Sequence, residues 1–261
     1  MPTEPSTSSA NTSSLPNNGI VSKESSGEAI SMYKGQKSVL IMVIGKSGRG
    51  KSTAIRTLNP ATTHIINVIG KPLPFQQGMK YVPGENMTIT SNADQIRREM
   101  DRVSREGKVT DLVIDDIQYV MATEFMDKAL VKGYDKFSIM ARNIWEILIK
   151  ATKLRAGLKV YVLAHEEETE TERRMKTLGK LLNDKITPEG LSTIVLYSDV
   201  TGERDNRKYF FSTQSDGVTN AKSPFEMFPA QIPNDLKLVS SRIDEYYAGV
   251  SLKNSKIRME V

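Results

Sequence analysis

The chain has 261 residues, a length that suits one large α/β domain and is short for two. It contains no cysteine, which excludes disulfides, thiolate metal sites and cysteine nucleophiles. The formal net charge of +5 is compatible with a polyanionic partner but does not identify one. No apolar run approaches the roughly 20 residues of a membrane span, and no secretory leader opens the chain, so we expect a cytoplasmic protein.

Composition divides the chain into three parts. Residues 1–34 are rich in Ser, Thr, Asn, Pro and Gly and carry few large apolar groups. Such a segment buries too little surface to offset the entropy of ordering, so it is predicted to be a disordered tail. Residues 35–248 form the predicted domain, and residues 249–261 a short basic C-terminal tail.

The strongest motif lies in residues 39–53. Six apolar residues end at Gly45, and the segment from Gly45 to Ser52 then reads GKSGRGKS, which fits G-x-x-x-x-G-K-[ST] without a gap. The pattern predicts a buried strand, a phosphate-binding loop and a helix from Lys51 to about Asn59.

Each residue type in this loop has a physical role. The glycines adopt backbone angles that let successive N–H groups converge on an anion, and the start of the following helix adds positive character. Lys51 brings charge to the β and γ phosphates, and the Ser52 hydroxyl is a ligand for Mg²⁺. The predicted ligand is therefore a nucleoside triphosphate with Mg²⁺, bound by Gly45, Lys46, Ser47, Gly48, Arg49, Gly50, Lys51, Ser52 and Thr53.

A second informative stretch is the apolar run that ends in Asp115 and Asp116. A buried strand that ends in two carboxylates is the arrangement expected where a phosphate-loop fold completes its metal shell. We expect Asp115 to hold the metal through water and Asp116 to polarise the attacking water. The alternative is a strand-end turn with two solvated acids.

Residues 159–164 form the next predicted strand, with His165 at its end. A polar group there touches the γ-phosphate in phosphate-loop motors, which makes His165 a catalytic candidate; the competing interpretation is an exposed loop histidine. Residues 169–191 are predicted to be a loop. Its basic residues suit a nucleotide-controlled DNA contact or a plain solvated loop, and both remain open: Arg173, Arg174, Lys176, Lys180 and Lys185.

The remaining elements are predicted from periodicity and turn signals. They are a second strand at residues 62–69, a loop up to Asn92, a helix capped near Asn92, a long helical region interrupted near Gly133, a β-hairpin of residues 192–199 and 207–213, and a closing helix at residues 235–248. In the hairpin, Tyr209, Phe210 and Phe211 alternate between faces, so one face could offer rings for stacking on bases, and sheet packing is the preferred interpretation.

The order of these parts resembles the RecA-type core. More narrowly, the segments GKSGRGKST, LVIDDIQYV, VYVLAHEEE and AKSPFEMFPAQIPNDL resemble phage-encoded RecA-like ATPases, some of which are single-strand annealing proteins. The resemblance covers about residues 36–248. It implies a mostly parallel central sheet flanked by helices, with a C-terminal β-hairpin extension. It also implies Mg²⁺-dependent ATP hydrolysis at subunit interfaces of a ring or filament, binding of single-stranded DNA in recombination or annealing, and a place in the host cytoplasm.

The chain departs from this family at one position. RecA carries a catalytic Glu after its second strand, where this sequence reads Ile69-Gly70-Lys71, and the catalytic role therefore moves to Asp116. RecA-type assemblies also insert basic residues from a neighbouring subunit into the ATP site. Lys222 is the first candidate for such a finger and Arg207 the second.

Other functions fit the same motifs. One is a ring-forming motor or helicase loader in DNA replication, and another is a nucleotide-gated DNA-binding scaffold with little turnover. Lys46 matches the second lysine of deviant-Walker partition ATPases, but Ser47 replaces their usual glycine. GTP is disfavoured because no Asn-Lys-x-Asp motif is present, and a small-molecule kinase because no acceptor-site or lid signature is visible.

Overall fold

The computed structural model describes residues 37–130, 132–133, 135–179 and 181–259, so the predicted tail of residues 1–34 lies outside the described residues. The strands within these ranges are β1 (Val39–Gly45), β2 (Thr63–Asn67), β3 (Met87–Ile89), β4 (Asp111–Asp115), β5 (Lys159–Glu168), β6 (Arg173–Met175), β7 (Ile194–Thr201), β8 (Lys208–Ser212) and β9 (Gln231–Pro233). The α-helices are α1 (Ala93–Glu106), α2 (Gln118–Asp127), α3 (Asp135–Ala151), α4 (Leu181–Lys185) and α5 (Leu236–Tyr247). Short 3₁₀ helices span Ser52–Thr57, Gln76–Lys80, Pro188–Leu191, Arg204–Asn206 and Leu252–Asn254.

The strands form one sheet in the order β3-β2-β4-β5-β1-β7-β8-β9, and β6 pairs with the end of β5. The pairs from β3 to β7 are parallel, whereas β8 and β9 add antiparallel strands beyond β7. Helices cover the sheet, so the predicted α/β class is confirmed: a mostly parallel central sheet flanked by helices, with a C-terminal antiparallel hairpin. Strand β5 lies between the phosphate-loop strand β1 and the acidic strand β4.

Both faces of the sheet are buried. Along β1, Leu40, Met42 and Ile44 pack with α1, α2 and α3, whereas the alternating residues pack with α5 and the 3₁₀ helix Ser52–Thr57 on the opposite face. Alternation arises because successive strand side chains point to opposite faces. Burial on both sides explains why β1 is a continuous apolar run, and it fixes the position of the loop that follows.

Two helices begin at side-chain caps. The Asn92 side chain accepts a hydrogen bond of 3.0 Å from the backbone N–H of Gln95, which confirms the predicted start of α1. Asp235 caps α5 in the same way, accepting from Leu238 N at 2.8 Å. Each cap satisfies a backbone donor that the helix leaves free, which stabilises the helix by about 1 kcal/mol.

Three local predictions were wrong. The helix after the phosphate loop is the short 3₁₀ helix Ser52–Thr57, which ends at Leu58 in extended geometry, so little helix dipole is available. The predicted loop before Asn92 contains the edge strand β3 and a 3₁₀ helix. Strand β5 continues past Ala164 to Glu168 and pairs with β6, and the predicted loop of residues 169–191 contains β6, α4 and the 3₁₀ helix Pro188–Leu191.

The last described residues return to the domain. Leu252 and Ile257 pack against the core face that contains α5, and Met259 is 8% exposed. The guanidinium of Arg242, which is fully buried, donates to the carbonyls of Met227 and Val250 at 2.7 and 2.9 Å.

Among the described residues, no helix has both the length and the apolar character needed to cross a membrane.

Candidate nucleotide site

The carboxyl ends of β1, β2, β4 and β5 meet at one edge of the sheet. Gly45 lies opposite His165, and Asn67 lies opposite Asp115 in the strand register. The two acids, the histidine and the phosphate loop are therefore brought together from segments far apart in the chain. Ligands of open α/β sheets bind at this edge.

Steric constraints explain why the loop has glycine at positions 45, 48 and 50. Gly48 and Gly50 have φ of +76° and +90°, angles that side-chain-bearing residues rarely adopt. Gly45 has a different reason, because a Cβ there would lie 2.6 Å from the carbonyl oxygen of Ser198. At Gly50 a Cβ would also lie 3.0 Å from Cδ1 of Tyr209. The loop is thus packed closely against β7 and β8.

Lys51 is almost completely buried within the loop. Its Nζ donates hydrogen bonds to the carbonyl oxygens of Gly45 and Lys46 at 2.7 and 2.9 Å. Burial lowers the pKa of Lys51, while the nearby Asp116 and Asp115 carboxylates oppose that shift. The ammonium group is held beside the loop, where phosphate oxygens would be stronger acceptors than the carbonyls it now contacts.

Ser52 and Asp115 form the candidate metal site. The Ser52 hydroxyl donates to Asp115 Oδ1 at 2.8 Å, while Oδ2 of this 1% exposed carboxyl has no hydrogen-bond partner. Burial raises the pKa of Asp115 to about 6, and the neighbouring Asp116 carboxylate adds to the effect. An unsatisfied buried oxygen next to a hydroxyl fits Mg²⁺, which binds through one or two carboxylates, waters and substrate phosphates. Within the described ranges no group of three or more histidine or acidic side chains is arranged to hold a metal ion.

Asp116 lies between two basic side chains. Its Oδ2 is in contact with Lys71 Nζ, and its Oδ1 is 3.4 Å from His165 Nε2. Burial opposes ionisation of Asp116, but hydrogen bonds from His165 and Lys71 outweigh it and hold the pKa well below the usual range. A carboxylate with so low a pKa is a weak proton acceptor. The role of Asp116 in polarising water stays a prediction, and it requires that Lys71 move away.

His165 is fixed by its backbone and by its ring. Its N–H donates to Gln118 Oε1 at 3.1 Å, and the ring makes an edge contact with Tyr119 at a centroid distance of 6.1 Å. The side chain is about one quarter exposed, on the side that faces Asp116 and the phosphate loop. His165 therefore belongs to the lining of the cavity and is not a free loop histidine, while its contact with a γ-phosphate stays a prediction.

A cavity of about 410 Å³ opens in front of these groups. It joins the predicted Lys51, Asp116 and His165 with residues that sequence reasoning did not select. The lining residues are Ser47, Gly48, Gly50, Lys51, Ser52, Thr53, Lys71, Pro72, Pro74, Asp116, His165 and Tyr209. Asp115 lies beneath this surface and is reached through Ser52.

Two loop residues that were predicted to bind the nucleotide point elsewhere. Lys46 Nζ contacts Glu168 on β5, and Arg49 Nη1 lies 2.8 Å from Asp199 Oδ1 on β7. Arg173 joins the two sides, with contacts of 2.7 Å to Glu166 and 2.9 Å to Asp199. The side chains of Lys46 and Arg49 therefore anchor the loop to the sheet. A second-lysine role for Lys46 would first require breaking its contact with Glu168.

The basic segment after His165 is largely neutralised. Arg174 pairs with Glu167 and Glu172 at 2.8 and 3.1 Å, and Arg173 is held by the carboxylates described above. Cross-strand ion pairs of this kind stabilise the β5–β6 hairpin. Lys176 and Lys185 are exposed, and Lys180 lies outside the described residues.

The residues that sequence reasoning missed are Lys71, Pro72, Pro74 and Tyr209. Lys71 and the two prolines follow β2, at the same sheet edge as Asp115, and this placement was the available signal. Tyr209 belongs to the alternating aromatic run; Phe211 is fully buried, whereas Tyr209 is 37% exposed beside the loop.

The two residues predicted as candidate fingers lie at different positions along the direction of the strands. Strand β7 runs parallel to β1 and continues beyond the residue that pairs with Ile44. The turn from β7 to β8 therefore lies at the sheet edge that carries the phosphate loop, and Arg207 is exposed in this turn. The backbone of Lys222 pairs with Val195, near the middle of the sheet.

Comparisons with known proteins add little. No family model matches the chain, and no curated protein matches it. A solved structure, that of a KaiC-like protein from the hyperthermophilic archaeon Pyrococcus horikoshii OT3, is similar with a TM-score of 0.41 and 12% sequence identity. The likeness covers 76% of this chain and 85% of that chain. At this TM-score it carries no functional argument, and function must be inferred from the residues of this chain.

Proposed function

We propose that this protein is a Mg²⁺-dependent ATPase of the P-loop class that acts on single-stranded DNA. The observation that carries the ATPase part is the Ser52–Asp115 contact of 2.8 Å, with the unpartnered Asp115 Oδ2 directly behind a complete phosphate loop. An orphaned buried carboxylate oxygen costs stability, which is expected where a ligand supplies the missing partner.

Each side chain has a distinct task in this proposal. The loop N–H groups and Lys51 bind the β and γ phosphates, and Ser52 and Asp115 hold Mg²⁺. When bound, the metal neutralises phosphate charge and fixes the orientation of the transferred group. His165 contacts the γ-phosphate from β5, and Asp116 lies next to the position of the attacking water.

Phosphate release from ATP tests the ATPase. We expect turnover with Mg²⁺ that is lost in EDTA and in Lys51→Ala. Lys108→Ala is the matched control, because Lys108 is exposed and precedes β4 at the opposite edge of the sheet. Turnover that survives in Lys51→Ala would refute the assignment of the site.

Action on DNA is supported by the net charge of +5 and by the motif resemblance to RecA-like annealing proteins. We propose a ring or filament with ATP at subunit interfaces and a basic finger from the neighbour. Arg207 suits that finger better than Lys222, because it is exposed at the nucleotide edge.

Electron microscopy with ATP and single-stranded DNA tests the assembly. A strand-annealing assay compared with a helicase-loading assay separates a role in recombination from one in replication. Absence of DNA binding with ATP would refute this part.

A specific observation favours a second candidate, a nucleotide-gated scaffold with little turnover. Asp116 is held by Lys71 and His165 and is a weak proton acceptor in this state. Comparison of hydrolysis by the wild type and Asp116→Ala decides between the two. Equal and negligible rates favour the scaffold, whereas a marked loss in Asp116→Ala favours the ATPase.

A further inference from the structure

Lys71 brings a second lysine to the nucleotide cavity from a segment outside the phosphate loop. Its Nζ contacts Asp116 Oδ2, and its side chain is 43% exposed, so the ammonium group is accessible from the cavity. Asp116 immediately follows Asp115, which binds Ser52. Lys71 therefore lies beside the metal-side end of the phosphate site, in the lining of the cavity to which Lys51 also belongs.

The turn that presents Lys71 is held by a buried side chain. Asn67, the last residue of β2, is 2% exposed; its Oδ1 accepts from Gly70 N at 2.9 Å and its Nδ2 donates to the Lys71 carbonyl at 2.8 Å. Gly70 has φ of +76°, and Pro72 restricts the chain directly after Lys71. The backbone at Lys71 is thus fixed by contacts that its ion pair with Asp116 does not require.

We propose that Lys71 binds the γ-phosphate of the nucleotide in the same subunit, exchanging Asp116 for a phosphate oxygen when ATP enters. This inference rests on the proposed function. Ser52 and Asp115 would hold the Mg²⁺ that neutralises the β and γ phosphates, so a group next to Asp115 would border that end of the nucleotide. A flexible ammonium on a fixed backbone can move from the carboxylate to the phosphate without rearranging the turn.

The exchange has a consequence for Asp116. In the structure Lys71 and His165 contact this carboxylate; once Lys71 binds phosphate, its Oδ2 loses that contact while His165 stays beside Oδ1. Asp116 is then a better acceptor for a hydrogen bond from water. Lys71 thereby links arrival of the γ-phosphate to the state of the neighbouring acid. ADP lacks a γ-phosphate, so it leaves the Lys71–Asp116 contact in place.

The test compares affinities for Mg·ATPγS and Mg·ADP by calorimetry. Lys71→Ala should weaken ATPγS binding by roughly tenfold to a hundredfold, the range for one charge-assisted hydrogen bond, and ADP binding by less than about twofold. Lys71→Arg keeps the charge and should recover most of the ATPγS affinity. Lys80→Ala is the matched control: Lys80 is exposed in the 3₁₀ helix after the same loop and does not line the cavity.

Two outcomes would overturn the inference. Equal losses for both nucleotides would place Lys71 away from the γ-phosphate, and unchanged affinities with lowered thermal stability would make it a structural ion-pair partner only. If Lys71→Ala does not fold, the comparison of Lys71→Arg with Lys71→Gln applies the same criterion. A wild type that binds neither nucleotide would instead refute the proposed function, so the two failures are distinguishable.

Discussion

Replacing Asp115 with Asn should make the nucleotide-free protein more stable. The Asp115 pKa of about 6 lies about two pH units above the ordinary 3.8, so keeping this buried carboxyl ionised at neutral pH costs about 3 kcal/mol. Asn keeps the Oδ1 acceptor for Ser52 but leaves its amide donors without an evident partner, which costs about 1 kcal/mol. The net gain of about 2 kcal/mol corresponds to a Tm rise of about 4–8 °C.

The pH dependence follows from the direction of the shift. Because folding raises this pKa, the folded state favours the protonated carboxyl. That contribution is fully present below about pH 4 and is lost as the pH rises through about 6. Asn does not titrate, so its stability does not change with pH in this way. The stability advantage of Asp115→Asn over the wild type should therefore grow as the pH rises from about 4 through about 6 and stay constant above about pH 7.

Thermal unfolding in EDTA at several pH values measures this difference, with the exposed Asp205→Asn as the control. Adding Mg·ADP at a hundred times the wild-type Kd should narrow this difference, since the ligand stabilises the wild type by about 2.7 kcal/mol and a tenfold weaker-binding Asp115→Asn by about 1.4 kcal/mol. The reasoning would be refuted if Asp115→Asn were less stable than wild type at pH 7.5 without ligand.

Three further predictions concern the loop and its neighbours. Lys51→Ala should weaken Mg·ATP binding by at least about a hundredfold in calorimetry, since the phosphates lose a buried ammonium; unchanged affinity would be incompatible with the site. Gly45→Ala should lower the free energy of unfolding in urea by about 1–3 kcal/mol, because its Cβ would lie 2.6 Å from the Ser198 carbonyl oxygen, and a neutral result would show that β7 can shift. His165→Asn should reduce ATP turnover at least about tenfold with little change in ADP affinity, and equal turnover would remove His165 from the catalytic set.

Local sequence was sufficient to predict the phosphate loop, because its glycines and the buried β1 respond to nearby steric and burial demands. The predicted cap at Asn92 is equally local. The contact between Ser52 and Asp115 spans 63 positions, yet it could be anticipated since carboxyl ends of parallel strands share one edge.

Other features depend on contacts that no short pattern encodes. Strands β3 and β6 have three residues each, too few for periodicity to reveal. For Arg173 and Arg174 the sequence left both a DNA contact and a solvated loop open, because their pairing appears only once the turn places them beside Glu166 and Glu167. The orientation of Lys71 depends in the same way on a buried Asn67, and that of Arg49 on Asp199.

Titration of ATPγS into the full chain, with and without Mg²⁺, tests the central claim most directly. We predict one nucleotide bound per chain, with an affinity that falls at least about tenfold in EDTA and again in Asp115→Asn with Mg²⁺ present. An ATPγS affinity that changes neither in EDTA nor in Asp115→Asn, or no binding at all, would contradict the assignment of Ser52 and Asp115 as the metal site of a P-loop ATPase.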